Sequence, residues 1–261
     1  MRTIAMPGRA LVRAVAVAAL ALSPLPAQAA ALCATPSAKS NPFGSSPCEG
    51  VRPGATLVSG SEQCSFGFLY QGSDRRRYVT TAGHCAFSPD PDTTTGHTQT
   101  WRPGKGPLVH DAGGKAVGRF VYATMQGQFS DFALIRLEPG VVSNPQMCHF
   151  GGPTSLTTEV HNRDVLVHHF GNGTGADYVP ARTGDAFFGL YKPDYVYFYG
   201  VASEGDSGSP VIDDSGAAVG LITDLTTPFT GNVGVNRLAG HVAAATKALK
   251  VKLTLLTAPT L

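Results

Sequence analysis

The chain has 261 residues, among them 31 glycines and 19 prolines, with 15% charged residues and a formal net charge of +2. A length of this order admits one large domain or two small ones, and so many turn formers beside so few charges exclude a helical bundle. The near-neutral balance excludes the basic footprint of a nucleic-acid or anionic-membrane binder.

Taken in chain order, residues 1–29 read as an export signal. Arg2, Arg9 and Arg13 form a basic start, Ala14 to Leu22 is a short apolar run, and Ala27-Gln28-Ala29 is a small-residue cleavage site. The run is shorter than the roughly 20 residues needed to span a bilayer. Removing this segment takes the formal charge from +2 to −1, because it carries three arginines and no acids. A secreted, extracellular protein is expected, and its five cysteines then read as disulfide formers with one left over.

Residues 30–52 are rich in Ala, Ser, Pro and Gly and show no apolar periodicity. They are expected to form an irregular N-terminal extension or pro-segment, with the folded domain over 53–261. Strand signals begin at Cys64. Cys64 to Tyr70 alternates, Gly72-Ser73-Asp74 marks a turn, and Arg77 to Thr81 is β-branched, so the pair predicts a hairpin. The basic run Arg75-Arg76-Arg77 falls in that connection and reads as a solvated loop. Further strands are predicted at Gly118–Thr124, Phe132–Leu137, Asp164–His169, Tyr195–Tyr199, Pro210–Ile212 and Ala218–Ile222. The alanine-rich stretch Ala239–Leu249 is predicted as one helix. Short strands at close intervals predict an all-β protein of antiparallel barrels or sandwiches. Adjacent His168 and His169 point to opposite faces of a strand, which argues against a shared metal. No cluster has metal-ligand spacing, so no metal and no cofactor are expected. Trp101 reads as a core or loop anchor, and the glycosylation pattern Asn172-Gly173-Thr174 reads as a glycine-rich turn.

Three segments carry chemistry. Gly205-Asp206-Ser207-Gly208-Ser209-Pro210 presents a serine on a tight turn, Thr80-Thr81-Ala82-Gly83-His84-Cys85 supplies a histidine, and Ser130-Asp131-Phe132-Ala133-Leu134-Ile135 supplies an aspartate at the mouth of an apolar strand. A serine hydroxyl is a weak nucleophile at neutral pH. It needs a base within hydrogen-bond reach and a group that fixes the tautomer of that base. His84 fits the base, Asp131 the orienting acid, and the backbone N–H groups of Gly205 and Ser207 fit an oxyanion hole. Taken singly, the motifs read as a loop, a buried histidine beside a structural cysteine, and a turn cap. Their joint occurrence points to nucleophilic catalysis.

The three motifs, in the order His, Asp, Ser with spacings of 47 and 76 residues, resemble the chymotrypsin-like serine proteases. The likeness is narrower to the secreted bacterial branch that includes streptogrisin, covers roughly residues 50 to 250, and extends to Cys64-Ser65-Phe66-Gly67-Phe68. The resemblance implies two packed six-stranded antiparallel β-barrels with a C-terminal helix. It implies His84 and Asp131 on the first barrel, Ser207 on the second, a Cys64–Cys85 disulfide, and endopeptidase activity through an acyl-enzyme. It places Val201 at the base of the specificity pocket. No acid stands there to recruit Lys or Arg, so cleavage after an apolar or small residue is expected. Thr223, Asp224 and Leu225 are expected to form the strand edge that pairs with substrate backbone. The expected partner is a protein or peptide substrate met by a monomer, with no nucleic-acid or membrane partner.

The chain departs from that pattern in places. Val51-Arg52-Pro53-Gly54-Ala55-Thr56-Leu57 stands where trypsin-type enzymes carry an activating amino terminus, so Asp206 lacks that partner and an internal arginine is the alternative. Ser209 replaces a second glycine after the serine. Cys148 is expected to pair with Cys48, while Cys33–Cys148 and Cys33–Cys48 stay open. The peptidase reading stands beside a second one, a protease-fold protein that acts by binding with its cleft occluded by the extension. An esterase of the α/β-hydrolase type fits poorly, since its triad runs Ser, Asp, His.

Overall fold

The computed structural model describes residues 50–87, 96–126, 130–158, 165–171, 173, 182–187, 195–225 and 231–260. The expected signal segment, the extension up to residue 49, Cys33, Cys48 and Asn172 lie outside these residues.

Turn-punctuated runs of β-branched and aromatic residues build two sheets. The first comes from β1 (Thr56–Ser59), β2 (Glu62–Ser65), β3 (Leu69–Gly72), β4 (Arg77–Thr81), β5 (His97–Thr100), β6 (Leu108–Asp111), β7 (Ala116–Met125) and β8 (Asp131–Leu137). The second comes from β9 (Ser155–Leu156), β10 (Val165–His169), β11 (Arg182–Phe187), β12 (Tyr195–Gly200), β13 (Pro210–Asp213), β14 (Ala217–Leu225) and β15 (Gly231–Arg237). Helix α1 (Leu238–Leu249) follows. Then β16 (Leu253–Leu255) returns to the first sheet, where Leu253 pairs with Gly72 and Leu255 with Tyr70.

Each sheet is organised around six strands, as the resemblance implied. In the second, the order β13-β10-β11-β12-β15-β14 is closed by a β13–β14 pairing, and the two-residue β9 adds a parallel edge. In the first, β2 and β3 are successive stretches of one bent run. The bend lies at Phe66-Gly67, where Phe66 pairs with Ala55 while Gly67 donates to the Thr80 carbonyl at 2.7 Å. This break divides the strand predicted over Cys64–Tyr70. Strands β5 and β16 are additions at the edges of this sheet.

Side-chain alternation along β8 decides where the cores lie. Ala133, Ile135 and Leu137 enter the first barrel core with Leu57, Phe66, Val79 and Phe120. Phe132 and Leu134 point the other way, into a seam with Ile212 and Leu221 of the second barrel and Leu238, Val242 and Ala245 of α1. This is the period of two that a strand buried on both faces shows. The helix joins the seam through the i, i+4, i+7 stripe 238, 242, 245. Val167, Phe198, Val211, Val219 and Val235 fill the second barrel. Val51 and Arg52 also pack into the first barrel, Val51 bridging to Ser143 and Arg52 Nε donating to the Gln146 carbonyl at 3.3 Å.

Some strands lie outside those predicted from the sequence. β5 reads His-Thr-Gln-Thr and is exposed throughout. β15 alternates only Val233 and Val235 among glycines and asparagines, and β16 is the three-residue Leu-Thr-Leu. No helix among the described residues is long and apolar enough to cross a membrane.

Candidate active site

His84 opens a single 3-10 turn, His84–Ala86, directly after β4. The next residue, Cys85, is buried and bonded to Cys64 of β2 with an S–S length of 2.04 Å. Gly83 lets this turn close on its neighbours. A Cβ there would overlap the Thr124 carbonyl oxygen and lie 2.8 Å from Asp131 Oδ1.

Asp131 is the first residue of β8 and is 4% exposed. Its Oδ2 lies 2.7 Å from His84 Nδ1, and its Oδ1 accepts from the His84 backbone N–H at 2.9 Å. A carboxylate only accepts, so the Nδ1 hydrogen is assigned to His84, and Nε2 is the basic nitrogen. The two bonds fix both the tautomer and the ring position.

Ser207 lies on the turn between β12 and β13. Gly205 and Gly208 hold φ of 93° and 86°, a left-handed backbone that side-chain-bearing residues rarely adopt. A Cβ on Gly208 would also lie 2.5 Å from the Ser65 carbonyl oxygen and 2.9 Å from the Ala82 nitrogen. The serine turn therefore abuts the segment that carries His84. Ser65 N–H donates to the Ser207 carbonyl at 2.8 Å, and Gly208 N–H donates to the Ile222 carbonyl at 2.7 Å. The nucleophile segment is thus bracketed by β2 of one barrel and β14 of the other. His84, Gly205 and Ser207 line one cleft of about 470 Å³ together with Glu62, Gln63, Cys64 and Glu204.

Asp206 is fully buried, and its carboxylate accepts from backbone amides and, at 3.4 Å, from the Ser203 hydroxyl. Gly173 N–H donates to Oδ1 at 2.9 Å and Ser203 N–H to Oδ2 at 2.8 Å. Backbone amides are present at every residue, so nothing in the sequence marks these two contacts. Val201 follows β12 and is half-buried, with Ala202 and Ser203 buried behind it. Thr223, Asp224 and Leu225 end β14 and are partly exposed. The Tyr195 hydroxyl lies 3.4 Å from Asp224 Oδ2, and burial first, then the Asp224 and Tyr197 neighbours, push its pKa well above the usual tyrosine value.

Other expectations fall away from the cleft. His168 meets Asp214 at 2.7 Å, whereas His169 is fully buried beside Phe198, on the opposite face. Trp101 packs between Phe87 and Phe120. Cys148 is buried and disulfide-bonded, to a partner outside the described residues. Cys64, His84 and Cys85 come within 4.8 Å of one another, but both cysteines are spent on the disulfide.

Residues with no motif of their own complete the site. Asn236 of β15 accepts the Asp131 backbone N–H at 3.0 Å, and Ser65 Oγ donates to the Gly205 carbonyl at 2.9 Å. Both contacts join distant parts of the chain, so no local sequence signal marks them.

No family profile and no curated protein matches the sequence. Solved structures do match by fold. Cellulomonas bogoriensis chymotrypsin superposes with a TM-score of 0.53 at 18% identity, covering 79% of this chain and 99% of that one. The fold is that of the chymotrypsin-like serine proteases. Nocardiopsis protease (TM-score 0.52, 17% identity) covers 78% of this chain and 98% of its own. A glutamic-acid-specific serine protease (0.52, 18%) covers 78% of this chain and 100% of its own. The chymotrypsin-like fold places its cleft between two barrels, and here His84 of one barrel and Ser207 of the other line one such cleft.

Proposed function

We propose that this protein is a secreted serine endopeptidase acting through His84, Asp131 and Ser207. One observation carries the reading. Asp131 grips both the ring and the backbone of His84, and His84 shares its cleft with a serine on a left-handed glycine turn.

In this reading His84 Nε2 takes the Ser207 proton as Oγ attacks the scissile carbonyl carbon. Asp131 stabilises the imidazolium that forms. The N–H groups of Gly205 and Ser207 receive the oxyanion. The protonated His84 gives its proton to the leaving amine as the C–N bond breaks, leaving an acyl-enzyme; water then attacks this ester with His84 again as base, and the C–Oγ bond breaks as Ser207 takes the proton back. Substrate backbone pairs along Thr223–Leu225. Val201 at the pocket base favours an apolar or small residue before the scissile bond. Activity on arginine substrates exceeding that on Phe or Leu substrates would remove this assignment. The N-terminal signal pattern supports export.

A fluorophosphonate probe tests the reading directly. Labelling of the mature protein, abolished in Ser207→Ala, is the expected result. A well-folded protein that takes no label, with or without its N-terminal extension, is instead a binding protein on a protease fold.

A further inference from the structure

Asp131 is held on two sides. Its carboxylate faces His84, while its backbone N–H faces away, toward the second barrel, and donates to Asn236 Oδ1 at 3.0 Å. Asn236 is 1% exposed. Its Oδ1 also meets His241 Nε2 of α1 at 3.1 Å, and its Nδ2 donates to the Thr223 hydroxyl. An oxygen that already accepts from an amide leaves one consistent assignment, with the hydrogen on His241 Nε2. The His241 ring stacks on Phe132, the residue after Asp131, with centroids 5.5 Å apart and planes 8° from parallel. Asp131-Phe132, Asn236 and His241 therefore form a closed triangle of contacts. It spans β8 of the first barrel, β15 of the second and the C-terminal helix.

We propose that Asn236, oriented by His241, is a positioning residue for Asp131 and, through Asp131, for His84. The inference rests on the peptidase reading above for its catalytic consequence, while its geometric content stands apart. Asn236 offers the buried N–H of Asp131 its acceptor. Without it that donor must reach for another partner, and the carboxylate on the same residue turns with it. The triangle thus makes the orientation of a first-barrel acid depend on how the second barrel and α1 are seated.

Two variants and two readouts test this. Asn236→Ala removes the acceptor. His241→Phe keeps an aromatic ring against Phe132 and removes the donor to Asn236. Kinetics on a peptide substrate should show kcat reduced about tenfold in Asn236→Ala with KM within about twofold, and a smaller fall of about threefold in His241→Phe. The double variant should be no worse than Asn236→Ala alone, because both act through one contact. Proton NMR should show the His84 Nδ1–H signal, shared with Asp131, shifted in both folded variants. An unchanged signal and an unchanged kcat in a folded variant overturn the proposal. If Asn236→Ala does not fold, His241→Phe decides by the same two measures. If the wild-type protein neither labels nor hydrolyses, the peptidase reading fails, yet the NMR signal still reports whether Asn236 positions Asp131.

Discussion

The backbone N–H of Ser65, in the first barrel, donates to the carbonyl of Ser207, in the second, at 2.8 Å. The hydroxyl of the same Ser65 donates to the carbonyl of Gly205 at 2.9 Å. One residue therefore holds two peptide units of the nucleophile turn, from across the barrel boundary. The place of Ser207 relative to His84 is set by this docking as much as by the turn itself.

Ser65→Ala keeps the backbone bond to Ser207 and loses the bond to Gly205. A single uncharged hydrogen bond contributes about 1 kcal/mol. We expect kcat/KM on a peptide substrate to fall about fivefold and the melting temperature to drop by about 2–4 °C. Wild-type kinetics in this variant would show that the Gly205 peptide is held by other contacts.

Asp131→Asn preserves size and leaves an amide where a carboxylate accepted two N–H groups from His84. One of the two donors then faces an NH₂ group, and the histidine is driven to the wrong tautomer. In the trypsin-type template the same exchange lowers kcat by about 10⁴-fold, and a fall of that order is expected here. Retention of more than about a tenth of wild-type kcat would exclude Asp131 as the orienting acid.

Asp206→Asn tests the amide-held carboxylate. Gly173 and Ser203 each donate to a different oxygen, so an asparagine satisfies one and opposes the other. Leaving one buried donor unmade costs about 1–3 kcal/mol. Urea unfolding should show a destabilisation of that size, together with a loss of activity, since Ser207 is the next residue. A variant as stable as wild type would mean that the turn does not depend on this charge.

Acid should destabilise the fold through His149. Burial, and then the nearby Arg52 charge, lower its pKa below the ordinary histidine value. The unfolded chain therefore takes up a proton at a pH where the folded chain resists it. Stability is lost as pH falls below about 6.5, and above that pH neither state is protonated. His149 sits at φ 67°, which asparagine tolerates, so His149→Asn is the suitable probe. The melting temperature of the wild type should fall further than that of His149→Asn between about pH 7.5 and about pH 5.5. Equal falls would assign the acid sensitivity to other groups.

Much of the fold was legible because its signals are local. The apolar run from Phe132 to Leu137, the β-branched run at Arg77–Thr81 and the alanine-rich stretch ending at Leu249 each announce their own geometry over a few residues. Exposed β5 gave no such sign, since an edge strand needs no apolar face, and β15 offers only Val233 and Val235 between glycines and asparagines. The bend at Phe66-Gly67 was hidden as well, because the alternation runs through it unbroken while the pairing partner changes from the segment at Ala55 to Thr80.

The sequence by itself determined the chemistry on offer: a serine between glycines, a histidine before a cysteine, an aspartate at a strand start, and the order in which they come. Residue type and short-range spacing carry that information. Only the tertiary structure decided what holds these groups. The Asn236 side-chain oxygen on the Asp131 amide, the Ser65 hydroxyl on Gly205 and the two amides on Asp206 join residues 33 to 140 positions apart, or 3 apart around one tight turn. Backbone N–H and C=O groups are the same at every position, so their pairing is written in the packing of the barrels and not in the letters of the chain.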